Sequence, residues 1–362
     1  MPNPRALVLC EGHFGDANGK TAHGLVRYSE IYDIVGVIDS TLAGKDAAEF
    51  LDGTPKGIPL FASFEEGVKA TNADMLIIGV ATDGGVIPPE YKPILRSAIT
   101  RGMNVTSGLH QKLNDQPELV ELARKHKVTL TDVRTPPPVS ELKFWTGSIA
   151  EVKCPRIAVL GTDSAIGKRT TARLLVKWFN ENGYKAVFVG TGQTGRLQGA
   201  KYSLILDSIV NDFLTGEIEH QVVRAWREEK PDVIVIEGQG GISHPAFPGG
   251  FEIVCGASVN GVILQHAPGR KTLDGFPQFK MGDPADDILI LETLGKRFKL
   301  KVLGVSLNHE NLSDRQLEAW TRKLQTSLKR PTADPLKHGP EKLAKAIIRR
   351  FKLKPRGKSK TK

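Results

Sequence analysis

The segment GTDSAIGKRTT, residues 161–171, constrains this chain more than any other. It joins an apolar run at 156–160 to an amphipathic run at 171–179, so it reads as a turn between a strand and a helix. Gly161 and Gly167 permit close backbone approach and positive φ, which lets successive N–H groups face one concavity. A helix starting near Lys168 adds the positive end of its dipole, and the Lys168 ammonium adds a full charge. Thr162, Asp163, Thr170 and Thr171 complete the polar set. Such a turn is suited to holding phosphate. Its spacing departs from the usual P-loop: five residues separate the glycines instead of four, and Arg169 stands between Lys168 and Thr170. The plainer alternative is a tight strand-to-helix connection that binds nothing.

A second strand-end motif supports the first. DVIVIEGQGG, residues 232–241, is an apolar strand ending in Glu237 and then glycines. In a P-loop domain that strand lies beside the P-loop strand, which would place Glu237 near the phosphates. There a carboxylate can hold Mg²⁺ through water, orient Lys168 or accept a proton; otherwise it caps the next turn. GTGQTGR at 190–196 follows another strand and offers Gln193 and Arg196 as substrate contacts. SHP at 243–245 and QHAPGR at 265–270 add His244 and His266 as possible bases and Arg270 as a possible carboxylate or phosphate clamp. Asp207 and Asp212 sit on a helix expected over 204–214.

Strand and helix signals alternate along the whole chain, so the fold class is α/β with two domains: an N-terminal Rossmann-like doubly wound sheet and a C-terminal P-loop NTPase-like parallel sheet. N-terminal strands are expected at 5–10, 34–39, 75–80, 105–107 and 129–132, with helices at 21–29, 64–70, 92–101 and 117–125. C-terminal strands are expected at 156–160, 186–189, 233–236, 261–264 and 302–306, with helices at 222–230, 285–298 and 314–329. The joint is RTPPPVS at 134–140, because consecutive prolines continue neither a helix nor a central strand. This gives domains at 1–139 and 140–352, followed by a basic disordered tail at 353–362. The first turn of the N-terminal domain is not G-x-G-x-x-G, so Asp39 is read as a loop cap before a ribose ligand. Lys20, in a sequence one residue short of a P-loop, reads equally as an anion contact or an exposed loop lysine.

A length of 362 residues fits two domains, and no apolar run approaches the ~18 residues needed to span a bilayer. The N-terminus carries no signal-peptide core, and Cys10, Cys154 and Cys255 are scattered, so a cytoplasmic location is expected with neither disulfides nor a zinc site. The net charge of +10 invites a nucleic-acid reading, yet nine Lys or Arg and no acid fall within 344–362, leaving the body near +1. The expected partners are a small-molecule amino-acid substrate and further copies of the chain in a homo-oligomer, without membrane or specific nucleic acid.

Taken in order, GTDSAIGKRTT, TGQTG, DSIVNDF at 207–213, EGQGGISHP and HAPGR resemble a P-loop family formerly of unknown function that includes D-glutamate N-acetyltransferase. GKTAHGLVRY at 19–28 resembles the first domain of that family, so the likeness covers nearly the whole chain except the tail. It implies acetyl transfer from acetyl-CoA, as co-substrate, to the amino group of D-glutamate or a similar amino acid. Gly161, Thr162, Asp163, Gly167, Lys168, Thr170 and Thr171 would then hold the CoA phosphates. Glu237 or His244 would act as base, N–H groups of 238–241 would stabilise the oxyanion, and Gln193, Arg196 or Arg270 would hold the substrate. The P-loop and EGQGG are also similar to dethiobiotin synthetase, which implies an ATP- and Mg²⁺-dependent kinase or ligase instead. In that case Thr170, Asp163 and Glu237 would approach the metal. A nucleotide-binding module without turnover is a third class. Ile242 departs from the smaller or differently polar residue expected at its position.

Overall fold

The computed structural model describes residues 2–356 and divides into two compact units, Met1–Pro136 with Gln193–Ala200 and Pro137–Gly192 with Lys201–Lys362. The change of unit falls between Pro136 and Pro137, inside the proline run.

The first unit holds a six-stranded parallel sheet of β1 (Arg5–Leu9), β2 (Asp33–Ile38), β3 (Leu60–Phe61), β4 (Met75–Ile78), β5 (Asn104–Ser107) and β6 (Leu130–Asp132). Their order is β3-β2-β1-β4-β5-β6, that of a doubly wound dinucleotide-binding fold. Ala6 to Leu9 and Leu76 to Ile78 are fully buried, as continuous apolar strands covered on both faces must be. Among the strands and α-helices of residues 2–136, two escaped the sequence reading. β3 is too short to show a period, and the helix Ala47–Asp52 is announced only by Asp46, whose side chain accepts from the N–H groups of Ala48 and Glu49. The helix Gln193–Leu197 also belongs to this unit: Leu197 joins its core, Thr194 Oγ1 lies 3.1 Å from Thr21 Oγ1, and Gln198 Nε2 donates to Gly24 O at 2.6 Å.

The second unit holds β7 (Arg156–Gly161), β8 (Ala186–Gly190), β9 (Tyr202–Ser203), β10 (Val233–Glu237), β11 (Gly261–His266), the hairpin β12 (Thr272–Leu273) and β13 (Phe276–Lys280), β14 (Lys301–Leu307) and β15 (Thr332–Ala333). Seven of these form a parallel sheet in the order β15-β14-β11-β7-β10-β8-β9, so the P-loop strand β7 is central and flanked by β11 and β10. The helix expected over 204–214 is not formed. Leu204, Ile205 and Leu206 are buried in extended chain and a 3₁₀ turn, and the helix runs from Asn211 to Glu229. Asp207 therefore sits in that turn and Asp212 in the first turn of the helix.

Two buried glutamates on that long helix hold the chain leading into β7. Glu217 accepts from Lys143 N at 2.6 Å, and Glu219 accepts from Thr146 N at 2.6 Å and Ile149 N at 3.0 Å. Gly216 makes the approach possible, since a Cβ there would lie 2.1 Å from Lys143 O. At the other end, the segment expected to be disordered is bonded as far as Arg356, whose Nε and Nη2 donate to Asp232 at 2.8 and 3.0 Å and whose N–H donates to Gly183 O. A side chain with a paired guanidinium needs no apolar neighbour to dock. Residues 357–362 lie outside the described residues.

Replacing Glu219 by Ala removes the acceptor of two backbone donors, of which Ile149 N is buried and Thr146 N is not, so the chain should lose about 1–3 kcal/mol of stability. Denaturant unfolding measures this; a loss below about 0.5 kcal/mol, the range of ordinary surface changes, would show that the 143–149 segment is held by other contacts.

Candidate functional site

The P-loop turn is shaped by Gly167, whose φ of 99° lies in the left-handed region, and by a helix, Lys168–Glu181, that starts with no side-chain cap. The first-turn N–H groups of that helix have no partner within the helix itself, and its positive end lies at the P-loop turn. Lys168 is buried and its ammonium is bidentate: Nζ donates to Asp163 O at 2.7 Å and to Gly240 O at 2.6 Å. It thereby ties the P-loop to the turn after β10. The two turns touch backbone to backbone, because a Cβ on Gly241 would come within 3.0 Å of Asp163 Cα, and Ile242 N donates to Gly161 O at 2.9 Å.

Glu237 ends β10 in register with Val159 of β7, which brings it beside the P-loop as the sequence implied. Its Oε2 accepts from Thr191 N at 3.1 Å, and its Oε1 lies 3.8 Å from Arg169 Nη1. Thr191 Oγ1 in turn donates to Glu237 O and accepts from Gln239 Nε2, both at 2.9 Å. Burial pushes the Glu237 carboxyl up; Arg169, the Thr191 N–H, Arg173 and Lys168 hold it down without cancelling the rise.

Asp163 is the other buried acid of the turn, and it is fully engaged. Oδ1 accepts from Ser164 N at 2.7 Å; Oδ2 accepts from Arg270 Nη1 at 2.9 Å and Asp274 N at 3.1 Å. Arg270 also donates to Glu310 Oε2 through Nε and Nη2 and to Ser164 O through Nη1. Burial alone would lower the Arg270 guanidinium, but Glu310 and Asp163 outweigh it and hold it charged. Arg270, read from the sequence as a ligand clamp, is placed as a brace of the P-loop.

His244, read as a possible base, is likewise occupied. Its Nδ1 accepts from Ala246 N at 3.1 Å and Phe247 N at 2.9 Å, which assigns the neutral ring hydrogen to Nε2, 3.4 Å from Asp163 Oδ1. Taking up a proton at Nδ1 would break both backbone bonds, and burial already lowers the ring's affinity for one. The ring anchors the 243–247 loop. Thr162 Oγ1 lies 3.0 Å from His266 Nδ1, and Thr171 Oγ1 donates to Gln265 Oε1 at 2.7 Å. Arg169, Lys168, Asp163, Glu237 and His244 thus come together in one unit. Gln193 and Arg196 belong to the first unit, on the helix Gln193–Leu197.

In the first unit Asp39 accepts from Phe14 N at 2.7 Å and Thr41 N at 3.0 Å, and so serves as the loop cap. Lys20 is the first residue of the helix Lys20–Arg27. Sequence reasoning missed Glu310 and the pair in which Ser243 Oγ donates to the buried Asp287 Oδ1 at 3.0 Å. Burial pushes the Asp287 carboxyl up to about 6. Neither acid follows a strand within a recognisable motif, so no local signal marked them. Among the described residues no group of three or more His, Cys, Asp or Glu is placed to hold a metal ion, and no helix is long and apolar enough to cross a membrane.

Burial lowers His266 to about 4 in the folded chain. Above its ordinary value near 6.5 the ring is neutral folded or unfolded and pH has no purchase on it. As pH falls from there towards 4 the unfolded chain binds the proton first, which removes up to about 3 kcal/mol of stability. Urea unfolding at pH 7 and pH 4 should therefore show the parent losing more stability than His266→Asn; equal losses would refute the burial effect.

Residues 40–136 match the model of the DUF1611 Rossmann-like domain and residues 143–344 that of the DUF1611 P-loop domain, both described as domains of unknown function. The crystal structure of a DUF1611 family protein from Anabaena variabilis has a TM-score of 0.87 and 29% identity, covering 96% of this chain and 100% of that one. A protein of Tritonibacter scottomollicae named D-glutamate N-acetyltransferase is 30% identical over 285 residues, 78% of this chain and 83% of its own. One of the same name from a Pseudoalteromonas species is 32% identical over 270 residues, 74% of this chain and 79% of its own. With both domains matched in order and the architecture shared, the chain belongs to the DUF1611 family.

Proposed function

We propose that this chain is an N-acetyltransferase that moves the acetyl group of acetyl-CoA to the amino group of D-glutamate or a similar amino acid. The observation that carries the reading is the pair of relatives bearing that activity in their names, each matched over about three quarters of this chain. The chemistry asks for two things. An ammonium must lose a proton before its nitrogen attacks the thioester carbonyl; the C–N bond then forms, the C–S bond breaks and the thiolate leaves to be protonated. The phosphates of CoA need a cationic, donor-rich cradle, with no need for hydrolysis.

Glu237 suits the base. It is buried, its carboxyl is raised above the usual value, and its Oε1 lies 3.8 Å from Arg169 Nη1. Lys168 and the uncapped start of its helix suit the phosphates. The N–H of Gly241 donates to Phe247 O at 3.0 Å, which takes it out of the set of donors that would stabilise the oxyanion. The P-loop domain itself favours a second reading, an ATP- and Mg²⁺-dependent kinase or ligase.

One assay separates the two. The protein is incubated with acetyl-CoA and a panel of D- and L-amino acids while thiol release is followed, beside ATP hydrolysis with Mg²⁺. Thiol release with D-glutamate is the expected result; ATP turnover without thiol release would overturn the proposal. Lys168→Ala removes a charge-assisted contact and should weaken acetyl-CoA binding about ten- to a hundredfold in a folded variant. Glu237→Gln should lower turnover about a hundredfold or more while acetyl-CoA binding stays nearly intact, and the deficit should shrink as pH rises because more of the substrate amine is already neutral. Normal turnover in the Gln variant would remove Glu237 from the role of base.

A further inference from the structure

A P-loop ordinarily holds a divalent cation as well as phosphate. The hydroxyl that directly follows the lysine ligates Mg²⁺, and an acid at the end of a neighbouring strand completes the shell. In this chain the residue after Lys168 is Arg169, and the strand-end acid is Glu237. The two face each other: Arg169 Nη1 lies 3.8 Å from Glu237 Oε1, and both side chains are largely or fully buried. The other oxygens at hand are committed elsewhere. Thr171 Oγ1 donates to Gln265 and lies 3.1 Å from Ser306 Oγ, and the Asp163 carboxylate is shared among Ser164 N, Asp274 N and Arg270. Thr170, one residue beyond Arg169, leaves the helix about 100° further round its axis.

The residues present therefore do not fit a divalent cation. Where the metal-binding hydroxyl would stand there is a cation, and the acid meant for the metal already faces it. Charge counting points the same way. Lys168, Arg169 and Arg173 all bear on Glu237, and Asp163 lies against Arg270. A divalent ion beside three cations would be repelled; a diphosphate would not.

We infer that Arg169 takes the place of the P-loop metal: its guanidinium is the built-in counter-charge, and the loop binds the diphosphate of its ligand, of the kind CoA carries, without a divalent cation. The inference rests on the phosphate-holding part of the proposed function and is independent of whether acetyl transfer follows.

The test is a calorimetric titration of the full chain with CoA, and separately with ADP, in EDTA and again in Mg²⁺. The parent should bind CoA with affinities that differ by less than about twofold between the two buffers, whereas losing the guanidinium in Arg169→Ala should weaken binding about ten- to a hundredfold in EDTA. Arg169→Thr restores the missing hydroxyl and removes the competing cation, so Mg²⁺ should recover about tenfold or more of its lost affinity. Arg169→Lys keeps the charge and should stay indifferent to EDTA, which preserves the test if the Ala variant does not fold. The inference is overturned if Mg²⁺ strengthens binding to the parent about tenfold or more, or if folded Arg169→Ala binds as the parent does. Absence of binding by either probe overturns it through its premise. Metal-free CoA binding without thiol release would instead sink only the acetyl-transfer reading.

Discussion

The bond on which the site depends is the one from Lys168 Nζ to Gly240 O, made together with its bond to Asp163 O. A lysine on a four-carbon stem ordinarily keeps its ammonium in water. Here the ammonium is withdrawn into the protein and satisfied by two carbonyls from two different turns, so the P-loop and the turn after β10 become one object. The glycines of that second turn follow from it. Gly241 has to pass within backbone contact of Asp163, and Gly240 takes a positive φ of 50° against Phe247 O. Side chains at either position would separate the turns and leave the ammonium without its second acceptor.

Around that bond the charges sort into two sets with different tasks. Asp163, Arg270 and Glu310 form a closed chain of ion pairs whose donors and acceptors are used up in holding the loop's shape. Glu237, Arg169, Arg173 and Lys168 form a second set, in which one carboxylate faces three cations and Lys168 is also bonded to two carbonyls. A closed set gains little from a ligand, because any new partner must displace an existing one. In the second set burial keeps the carboxyl raised against the pull of those cations. Neighbouring acids of the same loop system thus sit in different surroundings, Asp163 among fixed donors and Glu237 among side-chain cations.

The fold was legible because both sheets are parallel and buried. Each central strand reads as a continuous apolar run, and β7, β10 and β11 each end in a motif that the sequence displays in full. What escaped was short or dependent on distant partners. β3 has two residues, and the apolar residues at 204–206 give a helical signal until tertiary burial claims them as extended chain. Among site residues, the type and neighbourhood of Lys168 and Glu237 were readable, since both are fixed by strand ends. The roles of His244 and Arg270 were not. Each was judged by what an imidazole or a guanidinium is able to do, and only the hydrogen-bond partners show that Phe247 N, Ala246 N and Glu310 had already engaged them.

The first unit carries the same lesson from the opposite direction. Its strand order is that of a dinucleotide-binding fold, and Asp39 stands after β2 where a ribose-binding acid belongs. Yet the Asp39 carboxylate is buried and committed to Phe14 N, Thr41 N and Thr41 Oγ1, so it closes the first turn over itself instead of presenting an acceptor to a ligand. Topology brings an acid to a place; the loop then decides what the acid is for. In the second unit Glu237 faces the Arg169 guanidinium at 3.8 Å, and in the first Asp39 holds backbone. What separates the two buried acids is their partners, since Asp39 is held by the donors of its own loop whereas Glu237 also faces side-chain cations.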